Sequence, residues 1–98
     1  MPAIREELEF SKWLKSLRDQ VAKAKILTRI QRLANGNPGD VEPVGEGVSE
    51  LRINHGPGYR VYYVQRGDEL IILLCGGDKD SQQSDIAKAK KIAGELEE

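Results

Sequence analysis

Ninety-eight residues, 39% hydrophobic and 32% charged, point to one domain over residues 1–98 with a single core and no second lobe. The longest apolar run, Leu70 to Cys75, is far short of a membrane span. Met1 is not followed by a signal-peptide core, and one cysteine with one histidine excludes an internal disulfide and a Cys- or His–His-based metal site. The net charge of −1 hides an asymmetry, because residues 11–34 carry seven basic side chains against Asp19 alone. That is a stripe of net +6, either a solvated face or a surface for an acidic partner.

Ile4 and its neighbours suggest a short first strand. Phe10, Trp13, Leu14 and Leu17 recur at helical spacing and predict a helix from about Glu7 to Leu17. Asp19 is placed to cap a second helix, which Val21, Ala24, Ile26, Leu27, Ile30, Leu33 and Ala34 carry. Gly36 and Pro38 stop it, so the two helices form a hairpin. From Val41 the period changes to two. Val48–Asn54 alternates around Leu51 and Ile53, and Tyr59–Val64 is β-branched and aromatic. The run from Leu70 to Cys75 reads as a strand covered on both faces, ended by a sharp turn at Gly76-Gly77. A last helix, capped by Asp80 or Ser81, has Ile86, Ala89, Ile92, Ala93 and Leu96 on one side. The order predicts an α+β fold: an N-terminal helical hairpin packed on a curved antiparallel sheet, with a C-terminal helix.

Chemistry concentrates at the Leu51–Val64 hairpin. If Ile53 pairs with Tyr59, Arg52 lies directly opposite Arg60, and both alternate away from Leu51, Ile53, Val61 and Tyr63. Two guanidiniums on one rigid face make a phosphate clamp, provided an anion offsets their repulsion. A slip of one residue would leave two solvated arginines instead. Lys79, just beyond Gly76-Gly77, can reach a neighbouring strand or simply occupy a polar turn. His55 adjoins the clamp as a titratable group or a plain turn histidine. Tyr59 and Tyr63 share parity with the core, which makes Tyr62 the tyrosine free to stack on bases. Cys75 reads as a small buried hydrophobe.

These residues resemble the RelE/ParE superfamily of bacterial toxins, most closely its phage-derived addiction module killer protein, or HigB-like, branch. The likeness rests on Gly39–Ile53, on Gly56-Pro57-Gly58-Tyr59-Arg60-Val61-Tyr62-Tyr63, and on Leu73–Lys79 followed by Gln82 and Asp85–Ala89. Phe10–Leu14 matches the usual helix opening, so the resemblance covers essentially the whole chain. It implies the toxin of a type II toxin–antitoxin pair: a ribosome-dependent endoribonuclease that needs no metal or other cofactor. A gyrase poison of the ParE type, or a subunit that only binds antitoxin and represses, is the alternative. Arg60, Arg52 and Lys79 would be catalytic, and His55, Tyr62 and Arg66 would contact RNA. Lys12, Lys15, Lys23 and Arg29 would hold the antitoxin, and operator DNA would be met only through it. The setting would be cytoplasmic, away from membranes. In nuclease members a tyrosine or histidine often follows near the C-terminal end, where this chain has Gln82-Gln83-Ser84-Asp85.

Overall fold

Alternation along the strands decides the architecture. In the computed structural model, which describes residues 1–96, the elements are β1 (Ala3–Glu6), α1 (Leu8–Ser16), α2 (Gln20–Ala34), β2 (Val41–Gly45), β3 (Val48–Ile53), β4 (Tyr59–Arg66), β5 (Leu70–Gly77) and α3 (Gln82–Gly94). The strands form one sheet in the order β1-β5-β4-β3-β2. Odd positions Leu51, Ile53, Val61, Tyr63, Ile71 and Leu73 face one way and bury Phe10 of α1 with Ile26, Ile30 and Leu33 of α2. Val48, Tyr62, Val64, Ile72 and Leu74 face the other way, against Ala89, Ile86 and Ile92 of α3. Burying one such side chain stabilises by about 1.5–3 kcal/mol. Coverage on both faces explains why β5 is apolar without alternation.

The helices and their stops follow the pattern. The Asp19 side chain accepts from Ala22 N at 3.1 Å and opens α2. Asn35 ends it, and Gly36 follows in the left-handed region at φ 85°. Two features correct the sequence reading. The sheet is mixed, because β1 joins β5 in parallel, Ile4 opposite Ile71, while the other neighbours are antiparallel. Gly76 and Gly77 do not turn the chain; they are the last residues of β5, buried and paired with Val61 and Arg60. A side chain on Gly76 would strike the Trp13 indole, and one on Gly77 would strike the Asp85 carboxylate and Ser81 Oγ. Both glycines are there for close approach. Among the described residues, no helix is long and apolar enough to cross a membrane.

Candidate anion-binding site

The hairpin register places the two arginines as the spacing predicts: Arg52 is the cross-strand partner of Arg60, and Ile53 of Tyr59. Both project onto the α3 face, at the end of the sheet beyond the helix. Lys79 comes from the loop after β5, and its backbone N–H donates to Pro57 O at 3.4 Å, which ties that loop to the β3–β4 turn. The three cations line one cavity of about 360 Å³ together with Asp40, Asn54 and Gly58. Gly58 takes φ +81°, and a Cβ there would press on Arg60 Nη1.

The anion that reconciles the arginines is internal. Glu50, fully buried, lies two residues before Arg52 on β3 and opposite Tyr62. Its Oε1 accepts from Arg52 Nε at 2.8 Å, and its Oε2 accepts from Gln82 Nε2 at 2.8 Å and Tyr62 Oη at 3.1 Å. Arg60 Nε stands 3.7 Å from Oε2, and Arg60 Nη1 donates to Gly58 O at 2.7 Å. Burial alone would favour the neutral acid, but the hydrogen bonds from Arg52, Gln82 and Tyr62 outweigh it and hold the Glu50 carboxyl below its ordinary range. Two further carboxylates approach Arg52, Glu42 at 3.2 Å and Asp40 at 3.9 Å. Glu50 accordingly raises the Arg52 guanidinium above its usual value.

Other candidate residues fall elsewhere. Tyr62 is not free to stack: it is fully buried on the α3 face, and burial with the Glu50 charge pushes its phenol well above the usual range. Parity with Arg60 did put it on the right face, but α3 covers that stretch. The His55 ring turns toward the helices and meets Asp19 Oδ2 at 3.0 Å, a contact that lowers the Asp19 carboxyl. Arg66 stands at the far end of β4, about 20 Å along the strand from Arg60. Burial, with the Asp85 charge behind it, pushes the Cys75 thiol up to about 12 and leaves it a packing group. Among the described residues, no group of three or more His, Cys, Asp or Glu is arranged to hold a metal.

The basic stripe divides between two helices. Lys12 and Lys15 are exposed on α1, whereas Lys23 and Arg29 are half-buried on α2. Arg29 serves the fold, with Nη1 donating to Arg52 O at 2.6 Å and Nη2 to Pro38 O at 2.9 Å. It also lines a groove of about 620 Å³ along α2, floored by Val21, Ala24 and Ile53 and rimmed by Lys25 and Arg32. Neither Lys12, Lys15 nor Lys23 lines that groove.

Fold and site thus define a small α+β protein with a helix on one sheet face, two on the other, and a cationic cavity at one sheet end. The sequence profile of the family described as phage-derived protein Gp49-like (DUF891) matches residues 12–96. An "Uncharacterized protein" of Haemophilus influenzae (strain ATCC 51907 / DSM 11121 / KW20 / Rd) is 52% identical over 93 residues, covering 95% of this chain and 94% of its own length. The chain belongs to the Gp49-like phage-derived family, a family of toxin–antitoxin-associated toxins.

Proposed function

We propose that this protein is the toxin of a type II toxin–antitoxin pair that cuts mRNA on the ribosome, in the manner of the RelE and HigB-like toxins it resembles. The observation that carries this reading is the convergence of Arg52, Arg60 and Lys79, from three separate segments, on one cavity. Cleavage would be attack of a ribose 2′-OH on the adjacent phosphorus, with loss of the 5′ oxygen. Cations held rigidly at that point stabilise the charge gathering on the phosphoryl oxygens in the transition state. Arginine and lysine as residue types suit charge stabilisation rather than proton abstraction. That favours a ribosome-dependent reaction, in which the RNA's surroundings supply further geometry. A second reading, a gyrase poison that acts by binding, is supported by the lining of the cavity, which among the described residues includes neither a histidine nor a tyrosine. Induction in a growing bacterium, with mapping of mRNA 5′ ends and of gyrase-linked DNA breaks, separates the two. Growth arrest with new mRNA ends supports the nuclease; arrest with DNA breaks alone supports the poison; unimpeded growth with folded protein removes both.

The antitoxin's docking site in this reading is the groove along α2 rather than the α1 lysines. Its floor is apolar, Val21 is 57% exposed, and none of the described residues lining it is acidic. An acidic amphipathic helix complements both properties. Reversing Lys25 and Arg32 to glutamate is expected to weaken antitoxin binding at least about tenfold at low salt and less at high salt. Reversing Lys12 and Lys15 should leave it within about twofold. Titration calorimetry at two salt concentrations checks both; equal losses from the two pairs would return the docking site to the whole stripe.

A further inference from the structure

We propose that Glu50 is a positioning residue whose carboxylate commits Arg52 to the protein and leaves Arg60 and Lys79 as the pair that contacts the phosphate. The inference rests on the nuclease reading and assigns its roles among the three cations. Every nitrogen of Arg52 faces a carboxylate: Nε faces Glu50 at 2.8 Å, Nη2 Glu42 at 3.2 Å and Nη1 Asp40 at 3.9 Å. A phosphate arriving at that guanidinium would have to displace these carboxylates and then stand beside them.

Arg60 is engaged differently. Its shortest contact is to a neutral carbonyl, Gly58 O, and its Nε, buried without a hydrogen bond, is 3.7 Å from Glu50. Lys79 is exposed and pairs with no carboxylate among the described residues. The usable positive charge of the cavity therefore lies on its Arg60–Lys79 side. Glu50 makes that arrangement stable, because like charges directly opposed across two strands repel unless an anion joins them. Gln82 and Tyr62 fix the carboxylate from the first turn of α3 and from β4, so the negative charge that stands 3.7 Å from Arg60 Nε is held in place by a residue with no exposed surface.

Charge-paired substitution tests the assignment. Glu50→Gln alone keeps side-chain size but leaves two opposed guanidiniums; kcat on programmed ribosomes is expected to fall about 10²-fold, with KM unchanged or lower. Adding Arg52→Gln removes the repulsion and is expected to recover about tenfold of that loss. Arg60→Gln is expected to lose about 10²–10³-fold in either background. Thermal melts of each variant set the assay temperature below unfolding. If the double variant does not fold, Gln82→Ala carries the test. It frees one side of the carboxylate and should lower kcat about tenfold at constant KM. Wild-type protein that leaves mRNA intact would overturn the nuclease reading and this inference with it. A wild type that cuts, beside a double variant no faster than Glu50→Gln or a Gln82→Ala protein at the wild-type rate, would overturn the inference alone.

Discussion

Replacing Arg60 with alanine is expected to reduce mRNA cleavage by about 10²–10³-fold, the usual cost of losing one preorganised charge-stabilising donor. Arg60 alternates away from Val61 and Tyr63, so its removal opens no gap in the core on the helical-pair side. Charge repulsion from Arg52 would make the deletion neutral or stabilising if the arginines stood alone. With Glu50 between them, the deletion instead strips a nearby cation from a buried carboxylate and a donor from Gly58 O. A loss of about 1 kcal/mol in stability is therefore expected, small enough for the protein to remain folded. Arg60→Lys should recover only part of the rate, because an ammonium cannot reproduce the planar fork. Cleavage on programmed ribosomes beside a thermal melt checks both halves. A folded Arg60→Ala protein cutting at the wild-type rate would remove Arg60 from the cleavage machinery and leave Lys79 and Arg52 as the cations that serve it.

The second large effect belongs to the fold. Gly76→Ala is expected to cost about 3 kcal/mol, the upper end of overpacking penalties. The new methyl group would fall inside 3.0 Å of three carbons of the Trp13 ring, and neither partner can give way easily. Trp13 packs against Phe10 and Tyr59, with ring centroids at 5.9 and 6.2 Å, and Gly76 is held in the β4–β5 ladder opposite Val61. For a chain of this size, that loss corresponds to a drop in Tm of about 12–24 °C. Gly94→Ala is the control: a Cβ there meets nothing within 4 Å, so the change should stabilise α3 by up to about 1 kcal/mol. Calorimetry of the two variants decides it, and equal Tm values would show that the Trp13–Gly76 contact is dispensable.

Much of the architecture was legible because its signals are local. Asp19 announces the start of α2 by its capping chemistry, and Gly36 its end by its backbone freedom. The two-residue period then sorts Leu51, Ile53, Val61 and Tyr63 onto one face. The Arg52–Arg60 pairing followed from that period and the length of one turn. The same register places Glu50 opposite Tyr62 and on the same face as Arg52. A glutamate in a strand of mixed polarity nevertheless reads as solvent-facing until its covering element is known. That cover is α3, and nothing in the strand reports it. The same omission misplaced Tyr62. Gly76-Gly77 reads as a turn because glycine's freedom is visible in sequence, whereas the crowding by Trp13 and Asp85 is tertiary. The parallel docking of β1 was likewise hidden, since four residues at the chain start carry no record of the strand they join.

That docking has a kinetic consequence. The β3–β4 and β4–β5 hairpins close short turns, while β1 must find residues 70–73 from residues 3–6, across most of the chain. Closure entropy rises with the length of the loop, so the two hairpins precede the parallel pairing. Until residues 70–77 are in place, β1 has no neighbour, and Gly76 is not there to receive the Trp13 ring. Lys79 and Gln82 come later still along the chain. A polypeptide interrupted before β5 thus holds both arginines yet no assembled cavity, and in the nuclease reading the capacity to engage RNA would arrive all at once, only after residues 79–82 have been made.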